Sequence, residues 1–152
     1  MKHTWRPILA ATFLIFVAFV VCSAQESKIQ MKDLPQSVQK AAQAEQAGGA
    51  ALRGFAKEIE AGKTFYEVET SVKGHSRDLL FDATGALVEV EEEVAATTVP
   101  VPAMKALAAQ GRVGKVERMT KGTSVFFESV VKTKSGKSTE VAVDAEGKTV
   151  TP

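Results

Sequence analysis

Two stretches of this chain are near copies of one another. Phe65-Tyr66-Glu67 returns as Phe126-Phe127-Glu128, Gly74 as Gly136, and Asp82-Ala83-Thr84-Gly85 as Asp144-Ala145-Glu146-Gly147, at a spacing of 61 to 62 residues. Leu79, Phe81 and Val88 are answered by Val141, Val143 and Val150. A pattern that returns at a steady spacing encodes one supersecondary unit used twice. Upstream, Leu34-Pro35 leads Ala41, Ala42 and Ala44, and Val101-Pro102 leads Ala106, Ala108 and Ala109, now at a spacing of 67. The additional residues of the first copy are placed at Gly48-Gly49-Ala50-Ala51-Leu52, where a loop absorbs them at low entropic cost.

Each alanine-rich stretch predicts a helix, because proline is pre-set for a first helical turn and alanine is the best helix former. Leu34, Val38, Ala41, Ala42 and Glu45 share one face of the first, with Gly48 as its stop. Met104, Leu107 and Ala108 form a shorter stripe in the second, which ends at Gly111. The segment after each helix has the period of a strand. Tyr66, Val68, Thr70 and Val72 alternate with Phe65, Glu67, Glu69 and Ser71, the pattern of a strand with one buried and one wet face. Lys73-Gly74-His75 and Lys134-Ser135-Gly136-Lys137 read as hairpin turns. The two Asp-x-x-Gly sequences read as further turns, in which aspartate bonds its own backbone and glycine takes the left-handed position.

These turns join Arg77–Phe81 to Leu87–Glu91 and Ser138–Val143 to Lys148–Val150, the last being short; weaker strands precede at Phe55–Glu60 and Lys115–Met119. One such meander with one thin helix buries too little apolar surface to offset chain entropy. The expectation is therefore an α+β fold of two tandem repeats, each a helix followed by a three- or four-stranded antiparallel meander, with both helices on one sheet face. The boundaries are a leader at 1–24, a polar linker at 25–32, a first unit at 33–94 and a second at 98–152. Glu91 to Thr97, followed by Pro100, reads as the linker between units.

The leader is assigned on its layout. Ile8 to Val21 is apolar except for Thr12, follows Lys2 and Arg6, and runs into Cys22-Ser23-Ala24-Gln25, as in a secretory signal peptide cleaved near Ala24. The apolar run is about 14 residues, short of the roughly 20 that cross a bilayer. The mature part thus carries no membrane span; retention of the leader as an anchor, or lipid on Cys22, is the alternative. Removal of the leader leaves 17 basic against 18 acidic residues, a net charge of about −1, and no cysteine. That balance does not call for a nucleic-acid partner, and the mature chain has no thiol for a disulfide, a nucleophile or a metal site.

The opening Leu34-Pro35 helix, the Tyr66-Glu67-Val68-Glu69 strand, the Gly74 turn, and Asp82-Ala83-Thr84-Gly85 followed by Val88 together resemble a tandem PepSY-like protein. That family comprises exported bacterial proteins related in architecture to the β-lactamase inhibitor protein group. The resemblance implies an extracytoplasmic, non-catalytic module in the periplasm or outside the cell, one that restrains a peptidase or binds another envelope protein. The second copy departs from the pattern, with Ser129 where Val68 stands.

Adjacent aromatics on a strand point to opposite faces. If Tyr66 and Phe127 face the helices, Phe65 and Phe126 lie on the other face with Glu67, Glu69 and Glu128. Large rings on a polar sheet face suit a binding anchor, and cover by an edge, loop or terminal strand is the alternative. The expected site is thus a protein- or peptide-binding face of Phe65, Glu67, Glu69, Phe126 and Glu128, without cofactor, metal or catalytic group. The competing reading is a small hydrolase or metal-dependent enzyme using His75 and nearby acids. His75 is the only histidine after the leader, and neither a Gly-x-Ser-x-Gly elbow nor a phosphate-cradling glycine loop occurs. The acidic run of Glu89 and Glu91 to Glu93 reads as a solvated strand end rather than a calcium loop, which needs alternating oxygens around a glycine.

Overall fold

A computed structural model describes residues 25–151, so the leader and Cys22 lie outside the described residues. Strand β1 (Gln25–Lys28) and a 3-10 turn (Met31–Asp33) lead to helix α1 (Gln36–Ala47) and strands β2 (Ala51–Glu60), β3 (Lys63–Val72), β4 (His75–Asp82) and β5 (Leu87–Val94). A second 3-10 turn (Ala96–Thr98) leads to α2 (Val101–Gln110), β6 (Arg112–Lys121), β7 (Ser124–Lys132) and β8 (Ser138–Val143). Gly48 and Gly111 stop the helices and Pro35 precedes the first, as the sequence predicts; the second starts earlier than expected, at Val101 after Pro100, so that Pro102 lies within its first turn. The eight strands form one antiparallel sheet in simple sequential order. The architecture is α+β, two helices on an open antiparallel sheet.

Both helices cover the same face. Leu34, Val38 and Ala42 of the α1 region pack on Val68, Leu79 and Phe81, with Tyr66 and Val90 beside them. Ala103 and Leu107 of α2 pack on Val116, Phe127 and Val143, with Val94 beside them. Val90 and Val94 have the same parity on β5, which puts both clusters on one side of the sheet. Tyr66 and Phe127 therefore face the helices, as expected.

A charged seam separates the two clusters. Arg77 Nη1 donates to Glu45 Oε2 of α1 at 2.5 Å, and its Nε lies 3.3 Å from Glu92 Oε1 on β5. Arg118 of β6 pairs with the same Glu92. Arg77→Ala leaves Glu45 without its partner in a half-buried site, an expected loss of about 1–2 kcal/mol. That is read as a fall of about 5 °C in a thermal melt; an unchanged melt would show that the seam adds nothing to stability.

Three segments differ from the sequence expectation. The polar linker at 25–32 contains β1, whose Lys28 pairs with Ala56 and extends the sheet beyond β2. Glu92 and Glu93 are strand residues, not linker, since β5 runs past the expected end at Glu91 to Val94. An unbroken run of glutamates conceals its own alternation: Glu91 and Glu93 point one way, Val90, Glu92 and Val94 the other. Lys148–Val150 forms no full strand: Thr149 bridges Val143, the Val150 N–H donates to the Ala142 carbonyl at 3.0 Å, and Lys148 bonds within the Asp144 turn.

The Asp-x-x-Gly turns form as read. Asp82 Oδ1 accepts the Thr84 and Ala86 amides at 2.8 and 3.1 Å, and Asp144 Oδ1 accepts the Lys148 amide at 2.8 Å.

Candidate functional site

The sheet face away from the helices is where the structure gathers unusual chemistry. Register sets it in rows that cross the strands. One row runs Glu69, Asp78, Glu91, Met119, Phe126 from β3 to β7. A second runs Glu93, Glu117, Glu128 from β5 to β7. A third places Glu67 opposite Leu80, and Leu80 opposite Glu89. Directly opposed side chains on neighbouring strands sit about 5 Å apart, where like charges repel.

The expected residues Phe65, Glu67, Glu69, Phe126 and Glu128 all lie on this face, but differ in access. Phe65, Glu67 and Glu69 are half-buried. Glu128 is 9% exposed, and Phe126 is 7% exposed, packed with Met119 and Ala142 under Val150 of the terminal segment. Phe126 is thus a covered ring, the alternative that the sequence left open, whereas Phe65 has no such cover.

Burial and crowding raise the proton affinity of several of these carboxyls. Desolvation, reinforced by Glu58, Asp78, Glu69 and Glu91, pushes Glu67 up to about 8. Desolvation together with Glu89, Glu117, Asp78 and Glu58 pushes Glu91 up to about 7. Glu128 rises to about 8 through desolvation and its close neighbour Glu140 on β8. Glu58, Asp78 and Glu117 are raised as well, chiefly by burial. Lysines share the face: Lys121 Nζ lies 3.1 Å from Glu89 Oε2, Lys115 Nζ lies 2.7 Å from Glu93 Oε2, and register puts Lys28 of β1 and Lys132 of β7 on the same side. The Lys115 bond holds the Glu93 carboxyl below its ordinary value.

Glu58, Asp78, Glu91 and Glu117 were absent from the sequence-based site. Asp78 and Glu117 sit in strands whose alternation is weak, and Glu91 stood in the supposed linker. Parity along β2, β4, β5 and β6 could have found them, since each lies within a strand that the sequence suggests. Glu26, Glu67 and Glu69 bring carboxylate oxygens within 4.8 Å of one another, the one acidic group among the described residues close enough to share a cation. His75 is exposed at the start of β4, with Glu93 Oε1 3.5 Å from its Nδ1. That pair brings a base beside an acid, with no second histidine in the described residues to complete a metal set.

Solved structures share this architecture. A candidate periplasmic protein of Bacteroides eggerthii DSM 20697 superimposes with a TM-score of 0.61 at 18% identity, covering 78% of this chain and 86% of that one. A DUF2874 family protein of Bacteroides uniformis ATCC 8492 gives 0.60 at 17% identity, covering 77% and 86%. A BLIP-like protein of Bacteroides fragilis NCTC 9343 gives 0.56 at 18% identity, covering 78% and 84%. The chain has a BLIP-like fold. No family model matches the sequence, and no curated protein matches it. At these identities the likeness is one of fold. Among the described residues, no helix is long and apolar enough to cross a membrane.

Proposed function

We propose that this BLIP-like chain is an exported, non-catalytic binding module of the PepSY-like kind, acting in the periplasm or outside the cell. Its two tandem units, 33–94 and 98–152, would present the helix-free sheet face to a protein or peptide partner, restraining a peptidase or another envelope protein. The observation that carries this is the asymmetry of the sheet. Both apolar clusters that contain a helix lie on one side. The other side keeps Phe65, Glu67 and Glu69 half-buried at its first half and buries Phe126 and Glu128 at its second. Phe126 packs with Met119, Ala142 and Val150, but Phe65 belongs to no apolar cluster, and a sheet covered on its other face has no folding reason to hold that ring among glutamates. The candidate periplasmic and BLIP-like proteins that share the fold support location and class alike.

The test is capture from an envelope extract on immobilised protein. Phe65→Ala combined with Glu69→Gln is expected to cut recovery of the captured partner at least tenfold while leaving the thermal melt within about 3 °C. Phe126 is left intact in this test because its ring supports the Val150 segment. Undiminished recovery would remove the face as the site. His75→Ala in the same experiment is expected to change nothing.

A further inference from the structure

We propose that the outer edge of β8 takes up an extended segment of a partner protein, which joins the sheet as a further strand. This contact is separate from the helix-free face and goes beyond the binding reading above.

The edge is open where its counterpart is closed. β4 and β8 hold corresponding places: each follows a hairpin, ends in an Asp-x-x-Gly turn and packs under its own helix. β4 is paired along its outer side with β5, from Arg77 opposite Glu92 to Phe81 opposite Leu87. β8 is the last strand of the sheet. Its Ala142 carbonyl accepts the Val150 amide at 3.0 Å, and the Asp144 amide just beyond donates to the Lys148 carbonyl at 2.9 Å. Backbone groups alternate in direction along a strand, so Ser138 and Glu140, in step with Ala142, also point theirs outward. Among the described residues nothing bonds to those groups. The usual guards of a free edge are missing as well. Ser138–Val143 has a single charged residue, no proline and no bulge against β7, whereas the opposite edge, β1, is four residues long and carries both Glu26 and Lys28.

The side chains define the occupant. Leu79 of β4 is 1% exposed, with Val90 opposite it on β5 packed into the same cluster beneath α1. Val141, which answers Leu79 in the sequence repeat, packs on the α2 cluster but stays half-buried. Among the described residues none stands opposite it on the outer side. Ala106 of α2 borders the same gap, since a Cβ on Gly147, just past β8, would lie 3.3 Å from its Cβ. An apolar side chain opposite Val141 would close that gap as Val90 does over Leu79. The segment that fits is therefore extended, exchanges backbone bonds at alternate residues, and carries valine-like side chains on the residues between.

The experiment is fluorescence anisotropy with a labelled peptide of alternating threonine and valine, ended by lysines for solubility. Residues paired with Ser138 and Glu140 share their face, so with valine under α2 the threonine amides donate to β8 and the valine amides point away. Methylation of the threonine nitrogens is expected to abolish binding, and methylation of the valine nitrogens to leave it within about threefold. Glu140→Pro removes an outward amide that β7 does not use, a change an edge strand tolerates. It is expected to weaken binding about tenfold. Ser138→Pro, at the first residue of the strand, reads the same loss should Glu140→Pro not fold. Glu26→Pro, on the opposite edge, is expected to leave binding within about twofold. Absence of binding, equal loss from both methylated peptides, or equal loss from the Glu26 and Glu140 variants would overturn the proposal. So would a dimer in light scattering that Glu140→Pro dissolves, since a second copy would then hold the edge. If the peptide fails while envelope capture still depends on Phe65 and Glu69, the strand edge falls and the helix-free face stands. The converse result removes the face and leaves the edge.

Discussion

The protein is expected to melt about 10 °C higher at pH 5 than at pH 8.5. Glu67 and Glu128 are pushed up to about 8 and Glu91 to about 7 in the folded sheet. An unfolded chain releases these protons near pH 4.5, so between that value and about 8 the native state holds more protons than the unfolded one. Stability must then fall as pH rises through the window, the reverse of the usual behaviour of salt-bridged carboxylates. The groups facing each carboxyl agree in sign. Glu58 on β2, Asp78 on β4 and Glu91 on β5 face Glu67, and Glu140 on β8, Glu117 on β6 and Glu91 on β5 face Glu128. Asp82, held low by the Thr84 hydroxyl and turn amides, acts oppositely and loses its bonds only in acid. The optimum therefore falls near pH 5. Because water still screens part of this face, the three shifts together are taken as about 3 kcal/mol rather than their full sum. For a domain of this size that converts to about 10 °C. Glu67→Gln/Glu128→Gln should melt near the wild type at pH 5 and recover most of the loss at pH 8.5. Thermal melts of both proteins across pH 4 to 9 decide it. A flat wild-type profile, or one that rises with pH, would mean that these carboxyls ionise freely.

How far the sequence foretold this face depends on which residues carried an alternation that could be read. Phe65 and Tyr66 could be assigned to opposite faces because neighbours on a strand must diverge, and the clusters around Tyr66 and Phe127 lie under the helices as expected. The Asp82 and Asp144 turns were legible because aspartate and glycine each have a local reason for their place. Cross-strand rows were not legible. Asp78 and Glu91 become neighbours through pairing of β4 with β5, and Glu117 and Glu128 through pairing of β6 with β7. Register of that kind depends on turn geometry and on the small offsets at Leu80/Phe81 and Val113/Val116. The cover over Phe126 was legible only as one of two readings, because Lys148–Val150 shows as a short strand without showing what it lies on; Thr149 bridges Val143, and the Val150 N–H bonds the Ala142 carbonyl.

Close packing where each Asp-x-x-Gly turn meets a helix gives a second large expected effect. Gly85 has φ +89°, and a Cβ there would stand 2.4 Å from the Ser37 Cβ of α1. Gly147 has φ +84°, and a Cβ there would stand 2.6 Å from the Pro102 carbonyl oxygen and 3.3 Å from the Ala106 Cβ of α2. A side chain at either position meets two penalties, a left-handed backbone that L-residues avoid and a helix with no room to yield. Together these come to about 3–4 kcal/mol for valine. The hairpin glycines separate the two penalties. Gly74 at φ +88° and Gly136 at φ +84° have nothing within 4 Å of such a Cβ, so valine there meets the backbone penalty alone, about 1–2 kcal/mol. Urea unfolding of the four single variants should therefore fall into two pairs, with Gly85→Val and Gly147→Val the more damaged by roughly 2 kcal/mol. Four equal losses would show that the helices shift to admit the side chain and that the turns do not fix their positions. A helix held this closely by its own turn fixes the face it covers, and with it which set of alternate side chains the sheet leaves for a partner.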